Sequence, residues 1–547
     1  MKLIPLGGLG EFGLNAMVLE WRDHLLLIDA GVMFPGSEGL GIDSIVPDFE
    51  YLRQRRQHVR GVVLTHGHED HIGALSFALQ AAPAPVYGSR LALGFARERL
   101  RERGVSAEMH ELRPGQAVEA GPFRLNPIRV AHSVHDSLAL AIETPAGVVL
   151  TTGDFKIDRQ ARGNEATDLD AFSAWGERGV LVLLSDSTNV EVGGPSGCED
   201  DVLPAFREVL ASTRGRVVVS CFATSTPRIQ RVCTLAAEAA RSVAFLGRRM
   251  VENTAVAREQ GHLQVRADGL LSPNVVADYP APGLLAFVSG SQGEPMSALS
   301  LMSVDEHPLL GLGPGDVVVL SARAIPGNER AVSRLIGNLM RRGCDVVHPG
   351  TARVHVSGHG SRDDLLEILA RVRPQYFVPI HGEYRMLAQH GRLAAQAGLG
   401  AERVLVAEDG DVLAFDAHGA RKEARVEAGR LLLDRAREGG VEEVVLRDRR
   451  HLSAEGIVVP VIVLDKTTGG LGSPPEIVTR GFVDAQGRDA GLMGEAVRLV
   501  AQSVDERPQE ERHDPSLLRE RVRTELRKFL KRRTQLRPLV IPVVMEV

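Results

Sequence analysis

Over roughly its first two hundred residues the chain alternates short β-rich apolar runs with turn signals, at residues 17–19, 25–28, 61–64, 148–150 and 180–184. Runs this short and this often interrupted predict stacked sheets. The last three end in polar clusters: Thr65-His66-Gly67-His68, Thr151-Thr152-Gly153-Asp154 and Ser185-Asp186-Ser187-Thr188-Asn189. Loops at strand ends are where a rigid scaffold presents its chemistry. From about Asp200 to Gly343 strands alternate with helical stretches, as in residues 217–222 then 228–241, and 317–320 then 329–342. That pattern predicts an α/β unit with a parallel sheet. Polar clusters return at residues 354–360 and 379–385, as if the first domain resumed after an insertion. Beyond Gly410 come a charged stretch (421–443), strands at 457–464 and 476–483, helices at 491–504 and 516–533, and a last strand at 539–545. The expected division is 1–199 (first domain, first part), 200–345 (inserted domain), 346–420 (first domain, second part), 421–450 (linker) and 451–547 (a small α+β domain).

Length agrees with several domains, since 547 residues exceed the usual domain size several-fold. Cys198, Cys221, Cys233 and Cys344 form no C-x-x-C pair, so they read as reduced, mostly buried thiols. Met1-Lys2 leads directly into an apolar strand without the features of a signal peptide, and the longest apolar runs are too short to span a bilayer. A cytoplasmic protein with no membrane role is the expectation. The net charge of -6 argues against a wholly nucleic-acid-binding surface but allows a local basic groove. Its positive charge is mostly Arg, which suits phosphate, although a general bias toward Ala, Gly and Arg is the simpler explanation.

Chemistry concentrates in His66-Gly67-His68-Glu69-Asp70-His71, where three imidazoles and a carboxylate follow a strand directly. Such donors suit Zn²⁺, and also Mn²⁺ where oxygen ligands are more numerous. Extended alternation would turn His66 and His68 toward one ion, and the turn into a helix would bring Asp70 and His71 to a second. Glu69 reads as solvent-facing. So short a loop cannot close two sites, and His132, Asp154 and His381, each in a polar loop after an apolar run, are the further candidates, with His135 a competitor of His132. Asp154 is suited to bridge two ions roughly 3.5 to 4 Å apart, where a shared water becomes acidic enough to attack at neutral pH.

The series His66-x-His68-x-Asp70-His71, His132 and Gly153-Asp154 resembles the metallo-β-lactamase superfamily, which implies an αββα sandwich with metals at one edge. Ser185-Asp186-Ser187-Thr188-Asn189, residues 355–360 (His-Val-Ser-Gly-His-Gly) and residues 379–385 (Pro-Ile-His-Gly-Glu-Tyr-Arg) look like motifs A, B and C of the β-CASP nucleases, whose α/β domain is inserted into that sandwich. Residues 6–15 and 153–158 are similar, more narrowly, to the bacterial ribonuclease J family, a resemblance covering almost the whole chain. It implies a 5′-to-3′ exoribonuclease with endonuclease activity on single-stranded RNA, working in messenger decay and ribosomal RNA maturation. His66, His68 and His132 would hold one metal and Asp70, His71 and His381 the other, with Asp154 between; Asp70 is also counted catalytic. Asp186 and His355 would lie beside the metals, with His355 as general acid. His355, Val356, Ser357, Gly358 and His359 would bind the nucleotide next to the cut, and a 5′-monophosphate pocket there would disfavour triphosphate ends. Thr224, Ser225 and Thr226 are a second candidate phosphate contact, although they depart from the family's Ala-Ser-Asn.

The resemblance also implies homodimers, tetramers as a further possibility, partners in an RNA-decay complex, and a structural Ca²⁺ for which Asp43 and Asp434 are the candidates. Solvated carboxylates explain those two as well. The basic run 527–533 alternates with Phe529 and Leu530 at helical spacing, as a solvated face or an RNA contact would. Two other readings compete: a β-CASP nuclease acting on DNA, because the motifs do not report the 2′-hydroxyl, and a noncatalytic RNA-binding scaffold, against which the presence of every expected ligand weighs.

Overall fold

The computed structural model describes residues 1–35, 41–416, 418–434, 441, 443–482, 490–506 and 514–547. It divides into two units, the first running to Leu431 apart from a short stretch ending at Ile42, and the second formed by that stretch with Leu432–Val547. In the first unit, an eight-stranded sheet runs in the order Gly419–Glu423, Val412–Asp416, Lys2–Gly7, Ala16–Trp21, His24–Ile28, Val59–Leu64, Val86–Gly88 and Met109–Glu111. A six-stranded sheet faces it, ordered Tyr376–Ile380, Val182–Asp186, Gly147–Thr151, Leu138–Thr144, Phe123–Arg129 and Val118–Ala120. Leu3, Leu19, Leu26, Phe123, Leu140, Ile142, Leu184 and Val378 fill the layer between them. On the outer side of the six-stranded sheet, Phe155, Phe172, Trp175, Leu365, Ile368 and Phe377 form a second core with helices Leu169–Arg178 and Arg362–Val372. Burial on both faces explains why these strands read as short solid apolar runs.

The site depends on two features of this sandwich. Tyr376–Ile380, which follows the inserted segment in sequence, pairs in parallel with Val182–Asp186, aligning Asp186 with Ile380. The carboxyl ends of Gly147–Thr151, Val182–Asp186 and Tyr376–Ile380 therefore lie side by side. At the same edge Leu138 N donates to Thr65 O at 2.9 Å, tying the two sheets together where Val59–Leu64 ends.

The segment between Val217 and Val347 forms its own six-stranded sheet, parallel throughout, in the order Leu270–Leu271, Ser242–Leu246, Leu284–Val288, Val217–Ser220, Val317–Leu320 and Asp345–Val347. Helices Thr226–Glu238 and Glu329–Arg341 alternate with its strands, as the periodicity predicted.

In the second unit, Ile457–Leu464 pairs antiparallel with Glu476–Arg480 and parallel with Leu539–Val540 and Val543–Glu546. Val458, Ile462, Leu464, Val500, Val522, Leu526 and Leu530 form a core under helices Ala490–Asp505 and Pro515–Thr534. The single last strand expected over 539–545 is two strands, because Pro542 has no N–H to continue the ladder. The expected strand end at Val483 lies outside the described residues. The stretch expected as a linker, 421–450, contains strand Arg430–Leu433 and most of helix Glu443–Glu455, and residues 435–440 and 442 within it lie outside the described residues. Among the described residues no helix is long and apolar enough to cross a membrane.

Candidate metal centre

Strand Val59–Leu64 delivers Thr65, the chain bends at Thr65 and Gly67 before His68 takes an extended backbone, and a single helical turn, Glu69–Ile72, carries Asp70 and His71. Asp29, at the end of the neighbouring strand and at φ 60°, anchors this turn. Its carboxylate accepts from Thr65 N at 2.8 Å and Thr65 Oγ1 at 2.9 Å, and stands 2.8 Å from His71 Nδ1. The ring of His71 is thereby fixed with Nε2 toward the cluster. Gly31 is required nearby, since a Cβ there would come within 1.6 Å of Asp70 O.

Asp154 is the centre. Its Oδ2 lies 3.7 Å from His66 Nε2, 3.8 Å from His132 Nε2, 3.3 Å from His71 Nε2 and 3.4 Å from His381 Nε2. On one side, His68 Nδ1 is 3.0 Å from His66 Nε2 and 3.1 Å from His132 Nε2. On the other, Asp70 Oδ2 is 3.5 Å from His381 Nε2 and 3.7 Å from His71 Nε2. Two donor groups, His66-His68-His132-Asp154 and Asp70-His71-Asp154-His381, share Asp154, and a third, Asp154-Asp186-His359-His381, overlaps the second. Tetrahedral ligands about 2.0 to 2.1 Å from a cation stand about 3.3 Å apart, and the first two sets bracket that spacing. His381 Nε2 is buried without a hydrogen-bond partner, as befits a lone pair directed at a cation. The residues fit two divalent ions.

The ionisation pattern points the same way. Burial holds His66, His68 and His132 below the ordinary histidine range, His68 at about 4, so all three present neutral nitrogens. At His71 and His381 burial is outweighed by carboxylates, Asp154 foremost, which raise His381 to about 9. Burial would push Asp70 and Asp154 up, but the imidazoles of His71 and His381 hold both below the carboxylate range. Protons on the second set thus balance charge that a cation would otherwise balance.

A strap, residues 354–360, crosses the cluster. Gly358 O is 2.7 Å from His132 Nδ1, fixing that ring, and a Cβ on Gly358 would meet it at 2.8 Å. His359 Nδ1 stands 2.8 Å from Asp186 Oδ2 and 3.9 Å from Asp154 Oδ2. Thr188 Oγ1 donates to Asp186 Oδ1 at 2.7 Å and lies 2.8 Å from His381 Nδ1, while His381 itself takes a left-handed φ of 56°. The expectation that His355 is the imidazole beside Asp186 is therefore corrected to His359. Residues four apart in an extended chain would face the same side, but the strap bends at Gly358 and His359, and His355 stands against the inserted segment instead, its Nδ1 3.5 Å from Arg228 Nη1. Ser357 Oγ accepts from Asn189 Nδ2 at 2.8 Å and from His359 N at 3.2 Å. Val356 is buried, its carbonyl accepting from Arg228.

The other expected residues lie elsewhere. Glu69 accepts from Arg99 Nε at 2.7 Å and stays out of the cluster. His135 pairs with Thr226 Oγ1 at 2.8 Å and with Glu165 at 3.3 Å, so the Thr226 hydroxyl is engaged. Thr224 and Ser225 are buried just ahead of helix Thr226–Glu238. Asp434 accepts from Arg449 at 2.6 Å, a guanidinium supplying the charge a cation would bring, and Asp43 just precedes strand Ser44–Pro47.

Sequence reasoning missed a buried ionic chain. Arg228 Nε donates to Glu199 Oε2 at 2.8 Å and Lys156 Nζ to Glu199 Oε1 at 3.2 Å, all three residues at most 4 % exposed. Arg228 also donates to Ser321 Oγ at 2.8 Å and to Val356 O at 3.1 Å. Lys156 lies two residues after Asp154, so the chain connects the Asp154 loop, the inserted segment and the strap. Asp29 was missed as well; an apolar strand ending in Asp-Ala-Gly beside the histidine motif was its signal.

Comparisons with known proteins agree with this architecture. Residues 9–187 match the metallo-beta-lactamase superfamily, 214–339 the ribonuclease J beta-CASP domain, 346–407 the Zn-dependent metallo-hydrolase RNA specificity domain and 444–547 the ribonuclease J C-terminal domain. A crystal structure of a protein of unknown function from Enterococcus faecalis shares the fold at TM-score 0.51 and 16% identity, covering 75% of this chain and 99% of that one. Ribonuclease J 2 of Staphylococcus saprophyticus and that of Staphylococcus aureus are each 34% identical to this chain over 100% of its length and 98% of theirs. With a metal-binding sandwich, a β-CASP insertion and this likeness over the full length, the chain belongs to the ribonuclease J family and is a hydrolytic ribonuclease.

Proposed function

We propose that the protein degrades single-stranded RNA from the 5′ end, with some internal cleavage, prefers 5′-monophosphate ends, and serves messenger decay and ribosomal RNA maturation in the cytoplasm. In this reading His66, His68, His132 and Asp154 hold one divalent ion and Asp70, His71, His381 and Asp154 the other, zinc by the donor set, with manganese as the alternative working ion. When bound, such a pair would polarise the scissile phosphate and acidify a water at the site.

The chain's own residues supply the rest. Asp29 and Thr188 hold His71 and His381 in place, so the donor atoms need not reorganise on binding. The observation that carries the reading is His359, held by Asp186 at 2.8 Å and only 3.9 Å from the shared carboxylate. From there its imidazole can pass a proton to the departing 3′ oxygen, with Asp186 orienting the ring and balancing its charge. Ser357 and Gly358 precede it on the same strap, so a phosphate bound there would sit beside the cutting centre. Thr224 and Ser225 are a second candidate contact. An end-reader placed so close favours stepwise cleavage from that end.

The test is degradation of matched RNAs bearing 5′-hydroxyl, 5′-monophosphate or 5′-triphosphate ends. The monophosphate form is expected to disappear fastest, with mononucleotides released from its 5′ side; equal rates for all three would remove the end-reading model. A homodimer is proposed as well. It is supported by the open face of the C-terminal sheet, where Val478 is 44% and Met545 46% exposed, and is checked by light scattering.

A further inference from the structure

Helix Pro515–Thr534 of the second unit buries one side, Leu518, Val522, Leu526 and Leu530, in its own core. Its other side changes character along its length. In the first half, two of the three cations are matched by carboxylates, Arg523 with Glu520 at 2.6 Å and Arg521 with Glu525 at 2.8 Å, and Arg519 donates to Pro515 O. After Glu525 no acidic residue occurs until Glu546, while Arg527, Lys528, Lys531, Arg532, Arg533 and Arg537 do. Arg533 pairs with Glu495 and Arg537 N with Glu455, but Arg527, Lys528, Lys531 and Arg532 are exposed and have no carboxylate partner among the described residues. Two of the chain's six lysines lie in this stripe, in a protein of net charge -6. Lys528, Lys531, Arg532 and Gln535 line a shallow groove.

Charge at a helix C-terminus is favoured by the helix dipole, which accounts for cations in the last turn but not for Arg527 and Lys528 one turn earlier. Residues i and i+4 are ~6 Å apart along a helix, so the stripe is a ladder of cations on one rigid element. A membrane surface would need exposed apolar side chains beside the cations, but Leu526 and Leu530, next to the stripe, are buried, and the exposed Leu517 lies at the opposite end of the helix.

We infer that this stripe is a second RNA-binding site, remote in sequence from the metal centre, which holds the phosphate backbone of the substrate strand without reading its bases. The ladder suits phosphates because Lys and Arg release counterions on contact, a sequence-independent contribution to affinity. The inference rests on RNA as the substrate. The site adds affinity in proportion to strand length and leaves the chemistry to the first unit.

The test uses the full chain with Asp154→Asn in every arm to stop cleavage, and a labelled 30-nucleotide oligouridylate whose binding is followed by anisotropy across a salt series. Replacing Lys528, Lys531 and Arg532 by Gln removes three contacts. At about 0.7 per contact for single strands, the slope of log affinity against log salt should flatten by about 2, and affinity at 0.1 M salt should fall by about 100-fold. Arg523→Gln, on the same helix but in an ion pair, should change neither. An unchanged slope in the triple variant, an equal effect from Arg523→Gln, or an equal loss for a 4-nucleotide strand would overturn the inference, as would anionic vesicles binding with the same dependence on the stripe. Cleavage persisting in the Asp154→Asn background would instead count against the metal-site reading, so the two failures are distinguishable.

Discussion

Replacing Glu199 by Gln tests whether the buried ionic chain holds the catalytic loops together. The substitution preserves shape and removes one negative charge lying 2.8 Å from Arg228 Nε and 3.2 Å from Lys156 Nζ. Burial would raise the Glu199 carboxyl, but Arg228 and Lys156 hold it at about 2, against an ordinary 4.5. That difference corresponds to about 3 kcal/mol at 1.36 kcal/mol per pH unit, within the ~3–5 kcal/mol cost of breaking a buried pair. Because the folded pKa is depressed, the stabilisation is complete above pH 4.5 and fades as pH falls toward 2. The variant should therefore be about 3 kcal/mol less stable at pH 7 and roughly 1.4 kcal/mol less stable at pH 3. Both tryptophans, Trp21 and Trp175, lie in the first unit, so tryptophan fluorescence during urea unfolding reports that unit alone. Equal midpoints at pH 7, or a deficit that stays constant down to pH 3, would refute the reasoning.

Other predictions follow from the cluster. His359→Ala and Asp186→Asn should each lower kcat by about 100- to 10,000-fold with both metal sites still filled, whereas His355→Ala should cost much less; the reverse ranking in single-turnover cleavage would restore His355 as the acid. Asp70→Ala combined with His71→Ala should leave one ion per chain by elemental analysis and abolish cleavage, and unchanged cleavage would sink the two-ion mechanism. Gly31→Ala forces a Cβ onto Asp70 O and should cost about 3 kcal/mol, visible in urea unfolding, together with loss of the second ion.

The sandwich and its insertion were legible because both obey short-range rules. Strands buried on both faces are solid apolar runs, and the return of polar clusters after residue 345 follows from Tyr376–Ile380 re-entering the sheet beside Val182–Asp186. The seven candidate ligands that the structure gathers in one place were legible because histidine and aspartate at strand ends carry their own signal. What the sequence could not show was direction. His355 and His359 are chemically equivalent in a one-dimensional motif, and the path of the strap over His132 alone decides that His359 meets Asp186. Glu199, Arg228 and Lys156 stand in three separate segments with nothing periodic to link them, so their chain of charge emerges only when the insertion folds back. Pro542 was visible throughout, yet the β-rich composition around it outweighed it in the expected last strand.

The central claim is that RNA is cut at a pair of cations sharing Asp154. Metal content and RNA cleavage measured together, on the purified protein, its chelator-stripped form and the Asp154→Asn variant, test it most directly. Two divalent ions per chain should accompany activity, both should be lost on stripping and restored by zinc or manganese, and Asp154→Asn should lose cleavage along with at least one ion. Full cleavage by metal-free protein, or by the Asp154→Asn variant, would contradict it.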